Sequence, residues 1–183
     1  DKNPLLREDI RSRNNVGPNK KIILSAGRFE SGKGFDILIE ALAKLTCLPD
    51  WECWIAGEPQ RASDASYLKD LKAKAARLGL EDRLYWLGHV KNMRGLYAAA
   101  DIYCQANVLP ESFGLTFLEA QAAGCPVVTT GIGGANEVVN DSWPNILVSK
   151  ATPDHFSMAL ESKIKSGKTS VSQAMQPEKS LGL

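Results

Sequence analysis

The stretch KIILSAGRFESGKGFDILIEALAKL, residues 21–45, decides the fold. It begins with a short apolar run, Lys21–Ala26, which has the length of a buried strand and is ended by a glycine. The residues from Phe35 to Leu45 then carry apolar side chains at helical spacing: Ile37, Leu38, Ile39, Ala41, Leu42 and Leu45. A strand that passes through a glycine-rich loop into an amphipathic helix is typical of α/β proteins.

The same alternation continues along the chain. Further strands are predicted at residues 53–56, 83–87, 102–105, 126–129 and 146–148, and further helices at 65–78, 93–100, 113–123, 136–139 and 154–164. Strands alternating with helices predict an α/β fold, a doubly wound, Rossmann-like parallel sheet of about six strands with helices on both faces. We expect residues 1–19 to be a linker, 20–165 the domain, and the polar segment 166–183 a flexible tail or linker.

Size and composition are those of an ordinary soluble domain. The 183 residues suit one domain, and 44% are hydrophobic while 23% are charged. The formal net charge of +1 gives no reason to expect a nucleic acid as partner. The chain begins without Met and without an apolar signal segment, so we expect a cut or processed boundary there.

The cysteines exclude the common sulfur sites. Cys47, Cys53, Cys104 and Cys125 have neither CxxC spacing nor a histidine cluster beside them, so we expect no metal site. We interpret them as reduced core thiols of a cytoplasmic protein.

The loop after the first strand carries two cations. It reads GRFESGKG, residues 27–34, and places Arg28 and Lys33 where ligands of parallel sheets bind, at a carboxyl end of a strand. Its glycine spacing differs from a Rossmann fingerprint, and without Ser or Thr after the lysine it is not a P-loop. Arginine can grip a phosphate through two hydrogen bonds and lysine acts as a point charge, whereas the alternative is a solvated turn.

A second candidate site reads PESFGLTFLEA, residues 110–120. Seven residues separate Glu111 from Glu119, and steps of about 100° along a helix would bring both carboxylates near one face. The start of the helix would offer backbone N–H groups to an anion, those of Gly114, Leu115 and Thr116. A diphosphate could lie there between two carboxylates. The alternative is an acidic first turn plus a surface glutamate, but apolar neighbours around Glu119 suggest that it needs partners.

A third glycine-rich turn, GIGGANE at residues 131–137, follows the fifth strand. Its backbone donors could meet a sugar or phosphates. Glycine-rich loops are common, so this turn is a weak indication by itself.

Together these segments resemble the retaining glycosyltransferases of family four, the glycosyltransferase group 1. Residues 27–45 resemble its "GR…KG…LI.A" segment, and residues 96–130 resemble "LY..AD…P…E.FG…LEA.A.G.PVV.T". Gly133, Gly134 and Glu137 match the next block, and the resemblance spans about residues 4–160.

The resemblance implies one half of a GT-B fold that binds a nucleoside-diphosphate sugar and helps transfer its hexosyl group with retention. The catalytic residues it implies are Arg28 and Lys33, which would hold the diphosphate, and Glu111, which would bind hydroxyls of the donor sugar. Glu119 would bind the ribose. Further donor contacts are implied at Gly27, His89, Val90, Phe113, Gly114, Leu115 and Thr116. The donor sugar is a substrate, and the resemblance implies neither a cofactor nor a metal.

The resemblance also implies a missing N-terminal domain that binds the acceptor. We therefore expect this chain alone to be inactive. The expected location is cytoplasmic, with membrane association through the missing domain if the acceptor lies at a membrane surface.

Three other functions are less well supported by the sequence. A non-catalytic nucleotide-sugar-binding module would have lost Arg28, Lys33 or Glu111, and all three are present. Half of a sugar-nucleotide epimerase would need a histidine at the cleft, and His89 and His155 are the two histidines of the chain. A dinucleotide-binding oxidoreductase lacks support because no GxGxxG follows the first strand.

Overall fold

The computed structural model describes residues 3–139 and 144–166. Its centre is a parallel sheet of six strands, which are β1 (Lys21–Ala26), β2 (Trp51–Ala56), β3 (Leu84–Gly88), β4 (Ile102–Gln105), β5 (Val127–Thr130) and β6 (Ile146–Val148). The α-helices of this part of the chain are α1 (Pro4–Arg13), α2 (Phe35–Ala43), α3 (Ala62–Arg77), α4 (Met93–Ala99), α5 (Leu115–Ala122), α6 (Ala135–Val138) and α7 (Pro153–Lys165). The expected tail, residues 166–183, lies outside the described residues except for Ser166.

The strand order confirms the predicted doubly wound sheet. Strands follow one another across the sheet as β3-β2-β1-β4-β5-β6, and all pairs are parallel. From β1 the chain winds outward to β3 and then returns to the other side of β1 with β4. Ligands of such sheets bind where the order reverses, so the crevice between the carboxyl ends of β1 and β4 is the expected place for a site.

Each face of the sheet has its own apolar core. Along β1, Ile22 and Leu24 pack on one face while Ile23 packs on the other. The face of Ile23 is covered by α2, α3 and α7, and the face of Ile22 by α4, α5 and α6. Because both faces are buried, the strands contain near-continuous apolar runs, which is why their positions could be predicted within a few residues.

The helix α1 was not predicted. It lies against α4, and its buried residue is an arginine, Arg11. The sequence of α1 therefore lacks the apolar stripe from which an amphipathic helix is predicted. Arg7 donates from Nη1 to the last carbonyls of α4, those of Ala98, Ala99 and Ala100. Both arginines form ion pairs with Asp101. The segment called a linker is thus partly helical and packed on the domain, and its role between domains stays a prediction.

The prediction that all cysteines are core thiols is wrong for Cys47. Cys53, Cys104 and Cys125 are buried, but Cys47 is exposed. Cys47 lies at the end of the turn that follows α2, and this turn leaves its side chain facing solvent.

Within residues 3–139 and 144–166, none of the helices has the length and apolar content that a bilayer crossing needs. These residues also contain no group of three or more His, Cys, Asp or Glu side chains arranged to hold a metal ion.

Candidate functional site

A cavity of about 280 Å³ opens at the carboxyl ends of β1 and β4. Seven of its lining residues were predicted as site residues: Gly27, Arg28, Lys33, Glu111, Phe113, Leu115 and Thr116. Ala26 and Gln105, the last residues of the two strands, also line it and were not predicted. A glutamine at the end of a buried strand was the signal available in the sequence, since an interior amide needs polar partners.

The loop after β1 is held against the loop after β4. A 3₁₀ turn, Ser31–Lys33, leads to Gly34, which adopts a left-handed conformation with φ 64° and begins α2. Val108 donates its N–H to Gly32 O at 3.0 Å. A Cβ on Gly34 would lie 1.9 Å from Ala106 O, so the two loops approach more closely there than any side chain permits. This contact brings Lys33 to the end of β4.

Replacing Gly34 by alanine is expected to lower the free energy of unfolding by about 2 kcal/mol or more, because a strained φ is combined with a clash against backbone. The matched control is Gly79→Ala, where φ is 68° but no atom lies within 4 Å of the new Cβ. The control should lose only about 1 kcal/mol in urea denaturation. Equal losses at both positions would contradict the close approach of the two loops.

Lys33 and Glu111 form the central ion pair of the site. Nζ of Lys33 lies 2.6 Å from Oε2 of Glu111, and the side chains are 19% and 16% exposed. Burial by itself raises the pKa of Glu111, but the Lys33 ammonium, the Ser112 N–H and the Asn107 amide more than offset it and lower this pKa. Glu111 is therefore a carboxylate at neutral pH.

Arg28 is the second cation of the cavity. Its Nη2 lies 3.1 Å from Oε1 of Glu30, and about half of its side chain is exposed. A half-exposed ion pair contributes little to stability, so exchanging Glu30 for another anion costs little. Arg28 is thus available to a negatively charged ligand in the cavity.

The helix α5 begins at the cavity wall. Gly114 precedes it in the left-handed region, at φ 66°, and no side chain caps the helix. The first N–H groups of a helix have no acceptor within it, and here Leu115 and Thr116 line the cavity. The positive end of the helix dipole therefore adds to the charges of Arg28 and Lys33.

The prediction that Glu111 and Glu119 share one helix face is wrong. The helix starts at Leu115 instead of Phe113, and Glu111 forms a bridge with Gly133. Helical angles therefore do not relate the two glutamates. Glu119 is exposed, and its Oε2 accepts a hydrogen bond from the Tyr97 hydroxyl at 3.1 Å, so the partner expected for this carboxylate is present. It does not line the cavity.

The third glycine-rich turn holds Glu111. The N–H of Gly134 donates to Glu111 O at 2.8 Å, and Glu111 N donates to Ile132 O at 3.3 Å. The amide of Gly134 is therefore engaged by the backbone of Glu111, so this donor is not offered to a ligand. The turn instead sets the position of the Glu111 backbone at the cavity.

Two predicted donor contacts lie elsewhere. His89 follows β3 and is exposed, with Nδ1 3.4 Å from Oε1 of Glu58 after β2. Val90 is half-buried and packs against the core. Neither residue lines the cavity, so their contact with a base stays a prediction. His155 contacts Thr152 at the start of α7, and it does not line the cavity either.

The arrangement favours an anionic ligand with hydrogen-bonding groups beside the anion. Two cations and a helix N-terminus point to phosphate, and one carboxylate can accept hydrogen bonds from hydroxyls. The model of the family described as "Glycosyl transferases group 1" matches residues 7–177. The chain belongs to this family.

Relatives within the glycosyl transferases group 1 agree in sequence and fold. The lipopolysaccharide core biosynthesis mannosyltransferase LpsB of Rhizobium meliloti is 37% identical over 128 residues, which are 68% of this chain and 35% of LpsB. The crystal structure of Anabaena Alr3699/HepE in complex with UDP and glucose has a TM-score of 0.81 at 30% identity, over 88% of this chain and 43% of HepE. The GT-B relationship of the sheet is thereby confirmed.

The chain spans only part of these relatives. It covers 35%, 39% and 29% of the length of three curated relatives. By contrast, it covers 83% of the C-terminal domain of the Francisella tularensis group 1 protein LpcC, with a TM-score of 0.75 and 26% identity over 87% of this chain. The similarity is thus to one domain of the longer transferases.

Proposed function

We propose that this chain is the donor-binding half of a retaining glycosyltransferase, which transfers a hexosyl group from a nucleoside-diphosphate sugar. The main support for the proposal is that Arg28, Lys33 and the first turn of α5 line one cavity. Two cationic side chains and the positive end of a helix dipole fit the negative charge of a diphosphate. The complex of Anabaena HepE with UDP and glucose supports the ligand class.

The chemistry of the proposal is stabilisation of the leaving group. As the bond between the sugar and the diphosphate lengthens, negative charge grows on the β-phosphate. Arg28, Lys33 and the N–H groups of α5 are already in place around that charge, so they stabilise the transition state more than the bound donor. No metal is required in this scheme, because fixed cations supply the positive charge.

Glu111 acts in the proposal as an acceptor for donor-sugar hydroxyls. Hydrolases that use two carboxylates need a second acid across the bond that breaks. Among the described residues that line the cavity, Glu111 is the one carboxylate. It is also paired with Lys33, so a nucleophilic role has no support here.

The remaining donor contacts are proposed from the position of the residues. Glu119 lies on α5, whose start lines the cavity, and is exposed, so it is open to the ribose of a nucleotide. His89 and Val90 follow β3 on the β2 side of the crevice, where a base extending from the diphosphate would arrive. The acceptor would bind to a second, N-terminal domain, and an acceptor at a cytoplasmic membrane surface would associate the full protein with that membrane.

We expect this chain alone to bind nucleoside diphosphates and their sugars weakly and to transfer nothing, because the acceptor half is missing. Calorimetry with UDP, GDP, ADP and their hexose derivatives measures the binding affinity. Release of nucleoside diphosphate in the presence of an acceptor measures the rate of transfer. Glu111→Gln should weaken the hexose derivatives more than the free nucleotides, because it removes the carboxylate that accepts from sugar hydroxyls, whereas the charge-matched control Glu137→Gln, on α6 outside the cavity lining, should change neither. Failure of all three nucleotides to bind, or robust turnover by the chain, would contradict the proposal.

A further inference from the structure

Asn107 lies two residues beyond the end of β4, and its side chain has an unused donor. The residue is 1% exposed. Within the described part of the chain, its Nδ2 is the one buried side-chain nitrogen or oxygen without a hydrogen-bond partner. A buried amide nitrogen without an acceptor is unfavourable, so its persistence needs a reason.

Neighbouring groups hold Asn107 in one orientation. Its Oδ1 accepts a hydrogen bond from Nε2 of Gln105 at 2.8 Å, and its backbone oxygen accepts from the Thr130 hydroxyl at 2.6 Å. The other end of the Gln105 amide, Oε1, lies 3.0 Å from the Tyr103 hydroxyl. The oxygen side of Asn107 is therefore satisfied, and only the NH₂ group is left to face another partner.

We assign the Glu111 carboxylate as that partner. Gln105, which donates to Asn107, lines the same cavity as Glu111, and the Asn107 amide helps to lower the pKa of Glu111. The Asn107 Nδ2 nevertheless makes no hydrogen bond, and the carboxylate is paired with Lys33. Reversing the Asn107 amide would turn its oxygen toward a carboxylate, which electrostatics disfavours. Two donors are thus available to the Glu111 carboxylate: Lys33, which is bound to it, and the NH₂ group of Asn107, which has no acceptor.

We propose that Asn107 is a positioning residue. Its NH₂ group donates a hydrogen bond to the Glu111 carboxylate when Lys33 leaves that carboxylate and binds the diphosphate of the nucleotide sugar. This inference rests on the proposed function, in which Lys33 binds phosphate and Glu111 binds the sugar. A carboxylate that lost Lys33 with no replacement would be left partly buried and unpaired, which is costly. Asn107 instead keeps Glu111 in place and leaves its other lone pairs to the sugar hydroxyls.

The exchange of partners can be observed without any nucleotide. In a ¹⁵N-labelled Lys33→Ala chain, the side-chain NH₂ signals of Asn107 should move downfield as Glu111 ionises, and by more than in the wild type. Adding Glu111→Gln should abolish this pH response. If the NH₂ signals do not respond to pH in Lys33→Ala, the proposal is overturned, whatever the chain binds.

A second measurement separates positioning from folding. Asn107→Asp keeps the oxygen that accepts from Gln105 but replaces the donor that faces Glu111 by a second carboxylate oxygen, and Asn92→Asp, at the cap of α4, is the matched control. Asn107→Asp should weaken both ligands, because either diphosphate draws Lys33 away from Glu111, and it should weaken UDP-glucose by about tenfold more than UDP, because only the sugar also needs the Glu111 carboxylate. Equal losses for both ligands would indicate a structural role and overturn the proposal. Failure of the wild type to bind either ligand would count against the proposed function, and the NH₂ signals would still decide the role of Asn107.

Discussion

Replacing Lys33 by alanine is expected to lower kcat/KM of the full-length transferase by about 10²- to 10³-fold. One preorganised group that stabilises developing charge in a water-poor site contributes on this order. Lys33 meets the structural conditions, because its ammonium is largely buried and lies at the wall shared with Arg28 and α5. The loss should appear in kcat as well as in KM, since the charge on the leaving group is greatest in the transition state.

Lys44→Ala is the control for this experiment. Lys44 also pairs with an acid, Asp154, but at 2.9 Å on the open surface and away from the cavity. Such exposed pairs contribute little, so activity should change by less than about twofold. A Lys33→Ala enzyme that retains a third or more of the wild-type kcat/KM would remove Lys33 from the leaving-group role.

Replacing Asp101 by asparagine is expected to lower the free energy of unfolding by about 3 kcal/mol or more. Asp101 accepts from Arg7 at 2.7 Å and from Arg11 at 3.2 Å, and its Oδ2 also accepts from the N–H of Ile22 at 2.9 Å. Removing one member of a buried ionic cluster leaves the others charged and unpaired. Because the arginines belong to α1 and Ile22 to β1, the loss should also loosen α1 from the domain.

Asp9→Asn is the matched control on α1 itself. Asp9 pairs with Arg13 at 2.8 Å, but both side chains are exposed, so urea denaturation should show a change of about 0.5 kcal/mol or less. Hydrogen exchange would show faster exchange in α1 for Asp101→Asn alone. Equal losses of stability in the two variants would mean that α1 is not anchored through Asp101.

The predicted fold was right where apolar pattern carries the information. Strands buried on both faces and helices with one apolar stripe leave a direct record in the sequence, and β1, β4 and β6 match their predicted bounds. The pattern failed for α1, which packs through arginines. It also misplaced the start of α5, because a left-handed Gly114 ends the loop where a helix was predicted to have begun.

The candidate site was only partly predictable. Arg28, Lys33 and Glu111 were found because charged residues in loops at strand ends are unusual enough to notice. The need of Glu119 for a partner was predicted from its apolar neighbours, but its partner, Tyr97 on α4, could not be named before the packing of α4 on α5 was known. Gln105 was missed although an amide at the end of a buried strand is a signal, whereas Asn107, two residues beyond β4, shows no function until its neighbours are known.

Apolar periodicity and glycine positions were enough to predict the succession of strands and helices from β1 onward and the residue types available to a ligand. Local patterns suffice for these, because periodicity and turn chemistry act over a few residues. Only the tertiary structure decided which charges meet. Lys33 and Glu111 are 78 positions apart and touch because the chain returns to place β4 beside β1, a non-local pairing set by the packing of both sheet faces.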